Sequence, residues 1–142
     1  MGWTDSHLHE FVVNQQRYGQ PDPEFDAPGE VISERKVTVA TALREGSSAA
    51  YTYDFGDSWV HEIKVEAPMA KYRGQQAPVC VDGKNACPPE DGGGPPGYQQ
   101  FLRSVADPGD PEHDEMIQWA GGAWDATAFD IEAVNREIER LR

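Results

Sequence analysis

Two histidines separated by one residue, His7 and His9, are the first side chains whose types and spacing suit chemistry. They lie in the segment HLHEFVV, which predicts a strand, and alternate residues of a strand point to the same face. Both imidazoles would then share one side of a sheet, a spacing that can chelate a metal ion. The alternative is an ordinary half-buried strand, in which one imidazole faces solvent and the other makes a hydrogen bond.

The segment CVDGKNACPPEDGGG concentrates two thiols, two adjacent carboxylates and a run of three glycines within residues 80–94. Its thiols and carboxylates suit a divalent cation, but six residues separate Cys80 from Cys87, and zinc knuckles usually have two to four. Other interpretations are a reactive thiol, a structured loop with two reduced thiols, or a Cys80–Cys87 disulfide under oxidation. Glu90 and Asp91 could instead form a turn that starts the following helix.

A third group of side chains surrounds the bend in the segment YTYDFGDSWVHEIKVE. Its members are Asp54, Asp57, Trp59, His61 and Glu62. Carboxylates beside an imidazole suit a metal ion or proton transfer, whereas the alternative is that Asp54 and Asp57 only cap the turn. If the chain has one site, we expect His61 and Asp57 to face the Cys80–Asp91 loop.

The three groups together predict one set of ligands for a divalent metal ion such as zinc. That set is His7, His9, His61, Cys80, Cys87, Glu90 and Asp91. No motif assigns catalytic residues or a nucleotide cofactor. Asp54-Phe55-Gly56 spells a kinase metal-binding triplet, but no glycine-rich nucleotide loop or catalytic loop accompanies it.

The predicted secondary structure that must position these groups changes from strands and loops to helices along the chain. The hairpin around the bend is the clearest, and we expect it at the centre of a sheet. Asn14–Glu30 is rich in proline and glycine and predicts a long loop. Thr38–Glu45 predicts a short helix with Thr38 as N-cap, although the run VTVATAL also fits a strand.

Helices dominate the C-terminal third of the sequence. Tyr98–Ala106 predicts a helix that follows Pro95-Pro96-Gly97, and Gly121-Gly122 ends the next helix. The last helix has Asp130 as its N-cap. Strands first and helices later predict an α+β fold with a small antiparallel or mixed sheet, in one domain that spans residues 1–142.

Composition limits the classes of function. The chain has 142 residues and a formal net charge of -13, with 12 scattered Lys and Arg residues. Such a chain repels a phosphate backbone, so direct nucleic-acid binding is disfavoured, whereas a basic protein partner is favoured. The sequence has no apolar run that suits a membrane span, and its two cysteines do not suggest a disulfide scaffold. We expect a cytoplasmic protein.

Four segments, GWTDSHLHEF, YDFGDSWVHEI, CVDGKNACPPEDGGGPPGY and FDIEAVN, resemble the plasmid Ri ORF-3-like family. The resemblance implies an α+β fold, an origin in plasmids or insertion elements, and no established activity. Some members are labelled TnpR-like or resolvase-like, but this acidic chain lacks a serine among phosphate-binding arginines. Family members are longer at the N-terminus, so we expect this chain to lack initial strands and a helix and to self-associate through an open sheet edge.

Three hypotheses about function follow. The first is a non-enzymatic accessory or binding domain of a mobile element that acts with a protein partner. The second is a metal-binding domain or metal-dependent enzyme that uses the histidine, cysteine and acidic residues above. The third is an acidic mimic of nucleic acid that occupies a basic partner.

Overall fold

The computed structural model describes residues 2–66 and 78–140 of the chain. The chain divides into two compact units, Asp5–Met69 and Met1–Thr4 with Ala70–Arg142. We call the described residues of the first the sheet unit and those of the second the helical unit. That the whole chain forms one domain stays a prediction.

The sheet unit contains a five-stranded mixed sheet in the order β3-β2-β1-β4-β5. The strands are β1 (His9–Val13), β2 (Gln16–Gly19), β3 (Val31–Ser33), β4 (Ser48–Tyr53) and β5 (Trp59–Lys64). The β2–β3 pair is parallel and the other pairs are antiparallel. The predicted hairpin is β4–β5, but it lies at one end of the described sheet, because β1 pairs with both β2 and β4 and is the central strand.

Strand β2 corrects the prediction of a long loop over Asn14–Glu30. Asn14 and Gln15 have φ angles of 49° and 68°, a left-handed pair that makes a tight turn between β1 and β2. The prolines and glycines later in the segment indicated a loop, and the prediction extended it over a strand of four residues. Residues 20–30, after β2, contain turns and bends, as predicted.

Four α-helices lie in the described ranges. They are α1 (Val39–Ala42), α2 (Gly94–Ala106), α3 (His113–Trp119) and α4 (Ile131–Arg140), and a 3-10 turn, Glu34–Lys36, precedes α1. The α+β class is confirmed. None of the helices in those ranges is long and apolar enough to cross a membrane.

Local capping explains where the helices begin. The N–H of Thr41 donates to the Thr38 hydroxyl at 3.2 Å, and the N–H of Ala133 donates to the Asp130 carboxylate at 2.9 Å. Both predicted N-caps are therefore confirmed. Helix α2 begins earlier than predicted, because Pro95 and Pro96 occupy its first turn, where a missing N–H removes no helical hydrogen bond.

Each unit has its own buried residues. In the sheet unit, Val13, Ala49 and Tyr53 are buried on the sheet. In the helical unit, Phe101 is buried in edge-to-face contact with Trp119 and Trp124, at centroid distances of 5.5 and 5.4 Å. Such aromatic contacts add to the stabilisation from burying apolar area.

Candidate binding site

One face of the sheet carries a row of rings across four strands. The β-ladder places Phe11 opposite both Tyr18 and Tyr51, and it places Tyr51 opposite His61. The Phe11 and Tyr51 rings are 4.6 Å apart, and the Tyr51 and His61 rings are 5.5 Å apart. His9 lies two residues before Phe11 on β1 and therefore joins the same face. The alternation of the strands thus builds an aromatic wall with an imidazole beside it.

A cavity of about 310 Å³ opens between this wall and residues 37–43, which include α1. On the sheet side it is lined by His9, Phe11, Val13 and Tyr18. On the other side it is lined mainly by Val37, Val39, Ala42 and Leu43, with Glu34 and Thr38 adding polar atoms. We call it the His9 cavity. Apart from the Tyr18 and Thr38 hydroxyls, its polar side chains are His9 and Glu34, which contact each other.

Two carboxylates contact the His9 imidazole. Nε2 lies 3.0 Å from Oε2 of Glu34, and Nδ1 lies 3.4 Å from Oδ1 of Asp5. The first contact is a hydrogen bond, whereas Nδ1 is buried and has no hydrogen-bond partner among the described residues. With both carboxylates ionised, the three side chains carry a charge of about minus two or minus one, depending on His9. This group of side chains is therefore negative in either state of the imidazole.

Tyr51 lies close to the same charges. Burial raises the pKa of the Tyr51 phenol, and the nearby Asp5 carboxylate raises it further. The phenol is therefore neutral at physiological pH and can donate a hydrogen bond. The carbonyl oxygen of Tyr51 lies 3.2 Å from Nδ1 of His61.

The structure gives the two histidines of the predicted pair different partners. Nδ1 of His7 lies 3.7 Å from the Asp54 carboxylate, and the His7 ring meets Tyr53 edge-on. His9 instead contacts Glu34 and Asp5 through opposite nitrogens, so these three side chains do not converge on one metal position. A metal site that uses both histidines stays a prediction.

The two aspartates of the bend differ: one caps the turn, and the other has one buried carboxylate oxygen. Oδ1 of Asp54 accepts hydrogen bonds from the N–H groups of Gly56 and Asp57, at 2.9 and 3.3 Å, which confirms that Asp54 caps the turn. Asp57 differs, because its Oδ2 atom is buried without a hydrogen-bond partner in the part of the chain that is described. Trp59 begins β5 and pairs across the ladder with Tyr53.

The cysteine segment is built into the helical unit by its backbone. The N–H of Cys80 donates to the Asn135 side chain at 2.8 Å, and the Asn135 amide donates back to the Cys80 carbonyl at 3.0 Å. Both Cys80 and Cys87 are free thiols in the structure, and a disulfide between them under oxidation stays a prediction. Neither belongs to a group of three potential metal ligands among the described residues.

Cys87 lies in a half-buried position beside residues 2–4. A Cβ atom on Gly2 would lie 2.8 Å from Cβ of Cys87, so only glycine fits there without a shift. Burial raises the pKa of the Cys87 thiol, and the Glu90 carboxylate adds to the rise, although a hydrogen bond from the Trp3 N–H opposes it. The thiol is therefore less nucleophilic at neutral pH than a free cysteine.

Glu90 and Asp91 serve the backbone of the same loop. The Glu90 carboxylate accepts hydrogen bonds from the N–H and the hydroxyl of Thr4, at 2.7 and 3.0 Å. Asp91 has a φ angle of 55°, and the turn continues through Gly93, the N-cap of α2. These contacts favour the interpretation of a turn that starts the helix. That the Cys80–Asp91 loop and the hairpin form one site stays a prediction.

Sequence reasoning missed the residues that complete the His9 cavity. It proposed His9, but not Asp5, Glu34 or the apolar positions from Val37 to Leu43. The alternation HLHEFVV was a sufficient signal for His9. No local pattern links His9 to Glu34, because these residues are 25 positions apart in the chain.

Comparison with known proteins places the chain in a family. The model of the plasmid pRiA4b ORF-3-like protein family matches residues 1–133. The uncharacterized protein y4hQ of Sinorhizobium fredii is 39% identical over 145 residues, which cover 99% of this chain and 73% of that protein. A crystal structure of a protein of unknown function from Methanosarcina mazei Go1 has a TM-score of 0.81 and 30% identity, covering 92% of this chain and 74% of the other. The chain therefore belongs to the plasmid pRiA4b ORF-3-like family, as its four sequence segments predict.

Proposed function

We propose that this chain is a non-enzymatic binding domain, an accessory part of a plasmid- or insertion-element-encoded system, and that the His9 cavity is its binding site. The observation that carries the proposal is a cavity of about 310 Å³ whose lining is mainly apolar and includes the His9–Glu34 pair. Binding sites for small ligands commonly combine an apolar lining with a few polar groups that orient the ligand.

The polar groups of the cavity favour binding over catalysis. His9 is the imidazole of the lining, and carboxylates face both of its nitrogens. The hydroxyl of Thr38 accepts the N–H of Thr41 and shares a hydrogen bond with the Thr41 hydroxyl at 2.8 Å, so the helix cap already engages it. A nucleophile paired with a free base, which covalent catalysis requires, is absent from the described lining.

The charge of the chain supports a protein partner rather than DNA. A net charge of -13 attracts basic surfaces and repels phosphates. We therefore propose that any partner presents a basic surface to this domain. We also place the domain in the cytoplasm, where unpaired cysteines such as Cys80 and Cys87 are usual.

A cavity-filling variant tests the binding site. Cyclohexanol, a compact neutral probe, is titrated into the labelled protein while amide chemical shifts are recorded. We expect saturable shifts for Val37–Leu43 and for β1, and we expect Ala42→Phe to abolish them because Ala42 lines the cavity. The matched control is Ala40→Phe on the same helical turn, since Ala40 is exposed and does not line the cavity.

Two results would contradict the proposal. One is the absence of saturable shifts in the unmodified protein. The other is equal binding by Ala42→Phe and the unmodified protein. For the accessory role, fluorescence anisotropy with labelled duplex DNA should show no binding between about 50 and 200 mM salt, whereas an affinity that falls steeply with salt would indicate phosphate contacts.

A further inference from the structure

Resting on the proposed function, we infer that the ligand of the His9 cavity is a small protonated amine with a compact apolar body. The ammonium group lies at Glu34, and the apolar body lies between Phe11 and the Val37–Leu43 segment. The inference concerns the ligand class alone, since the cavity could bind neutral molecules and still be a binding site.

The charge around His9 selects a cation. Glu34 and Asp5 contact the two nitrogens of His9, so this group carries a net negative charge whether His9 is neutral or protonated. The described lining contains neither lysine nor arginine. Arg35 and Lys36 follow Glu34 in the chain, but both are exposed and neither lines the cavity. An anionic ligand would therefore meet like charge without a compensating cation.

The geometry at Glu34 leaves an oxygen for the ligand. The hydrogen bond of the Glu34 side chain to His9 uses Oε2, and no described residue bonds to Oε1. The carboxylate is about one third exposed, with a relative side-chain accessibility of 35%. The His9 contact thus holds the carboxylate in the lining of the cavity, with one oxygen available to accept from an ammonium group.

The apolar lining increases the contribution of the Glu34 carboxylate to binding an amine. An ammonium group that enters an apolar cavity loses hydration, which is costly unless a partner of opposite charge replaces the water. Hydrogen bonds between charged groups are roughly twice as strong as those between neutral groups. The cavity therefore favours a ligand that places its cation at Glu34 and buries only its apolar body.

Protonated His9 does not offer an equivalent site for an anion. Both ring nitrogens face carboxylates, and Asp5 and Glu34 would be the nearest charges to a bound anion. An acid of the same shape is therefore expected to bind more weakly than the amine. This contrast makes the charge of the ligand the quantity to vary.

Three probes of one shape test the inference. Cyclohexylamine, cyclohexanol and cyclohexanecarboxylate are titrated separately at neutral pH, and dissociation constants are taken from amide shifts of Val37–Leu43. An alkylamine is protonated under these conditions, as a lysine side chain is. We expect the amine to bind about tenfold more tightly than the alcohol, as expected for a charged rather than a neutral hydrogen bond. We expect the carboxylate to bind least.

A matched pair of variants tests whether the charge of Glu34 causes the preference for the amine. Glu34→Gln should reduce the preference for the amine over the alcohol to about twofold or less, since it keeps the shape and removes the charge. Glu24→Gln, which changes the net charge equally at an exposed position outside the cavity, should keep the full preference. Asp5→Asn should reduce the preference less than Glu34→Gln, because the Asp5 side chain is 80% exposed.

The outcomes distinguish the claim that the cavity is a binding site from the claim that its ligand is an amine. If none of the probes binds, the proposed function falls together with the inference. If cyclohexanol binds as tightly as cyclohexylamine, the cavity is a binding site and the inference is wrong. A preference for the amine that persists undiminished in Glu34→Gln, or tightest binding of the carboxylate, would also overturn it. The comparison of the three probes in the unmodified protein keeps the test decisive if Glu34→Gln fails to fold.

Discussion

The cysteine segment of the helical unit and the His9 cavity of the sheet unit differ in what their polar side chains contact. In the helical unit, Asn135 and Glu90 are occupied by backbone groups of distant segments, at 2.7 to 3.0 Å. In the sheet unit, Glu34 and His9 bond to each other in the lining of a mainly apolar cavity. Side chains that bond to backbone groups stabilise a loop. Side chains that line a cavity are available to hydrogen-bond a ligand.

The contrast changes which segment is the better functional candidate. The cysteine segment has the denser set of thiols and carboxylates, yet its contacts are those of a structural loop. The strand β1 carries only one histidine pair, and one member of that pair lies in the cavity. Residue type alone therefore does not identify a site, because the same carboxylate can cap a loop or face a pocket.

The largest expected effect concerns the tight glycine turn of the helical unit. A Cβ atom on Gly97 would lie 2.1 Å from the carbonyl oxygen of Gly92, and that oxygen belongs to the backbone and has little freedom to move. We expect Gly97→Ala to lower the free energy of unfolding by about 3 kcal/mol, as for a severe overpacking change. Chemical denaturation followed by circular dichroism measures the loss.

Gly46→Ala in the sheet unit is the matched control for that change. Gly46 has a φ angle of 78°, and nothing lies within 4 Å of an added Cβ. Only backbone strain remains, so the cost should be about 1 kcal/mol. Equal losses for the two variants would contradict the claim that the helical unit depends on close backbone packing at Gly97.

The second prediction compares the loss of stability when Asn135, which bonds to a loop, and Glu34, which lines the cavity, are substituted. Asn135→Ala removes both hydrogen bonds to Cys80 and leaves its N–H and carbonyl without partners, so we expect a loss of about 2 kcal/mol. Glu34→Gln should cost less than about 0.5 kcal/mol, since the amide keeps the shape and the site is partly exposed. A larger loss for Glu34→Gln than for Asn135→Ala would reverse the comparison between the units.

The sequence predicted local features of the fold but not the long-range contacts of Asn135 and Glu34. Local signals identified the β4–β5 hairpin, and the N-caps Thr38 and Asp130 were found because a cap bonds within its own first turn. The pairing of Asn135 with Cys80 spans 55 positions, and that of His9 with Glu34 spans 25. No short-range periodicity encodes contacts of this kind.

Strand β2 was missed for a different reason. The turn that precedes it consists of Asn14 and Gln15, and neither is the glycine that normally signals a two-residue hairpin turn. The strand is four residues long, and the segment after it is rich in proline and glycine. Composition averaged over the whole segment therefore favoured a loop, although the ladder with β1 is regular.

A smaller effect concerns the thiol of Cys87, in a Cys80→Ser background that leaves a single cysteine. The raised pKa of Cys87 means that the folded state retains the thiol proton at a pH where the unfolded chain has lost it. The contribution of this thiol to stability is therefore complete below about pH 8.5 and declines as the pH rises through the folded pKa.

Alkylation and denaturation measure both consequences. Iodoacetamide should modify Cys87 more slowly in the folded protein than in the denatured chain at the same pH. The free energy of unfolding should fall more above about pH 8.5 than it does in the Cys87→Ala protein. Equal alkylation rates in the folded and denatured proteins would mean that Cys87 is an accessible, reactive thiol, and the cysteine segment would regain a chemical role.

The smallest predicted effect is the loss of stability when Glu132 on the surface of α4 is substituted, compared with Glu10 in the sheet. Glu132 faces Arg136 at 3.9 Å across one turn of α4, with both side chains mostly exposed, so Glu132→Gln should cost about 0.3 kcal/mol. Arg17 in β2 instead contacts Glu10 and Glu30, and the Glu10 side chain is mostly buried. Glu10→Gln should therefore cost more, about 1 kcal/mol, and 0.5 M salt should weaken the Glu132 effect more than the Glu10 effect. If the two substitutions cost the same at both salt concentrations, the Arg17 contacts contribute no more to stability than a solvated surface pair.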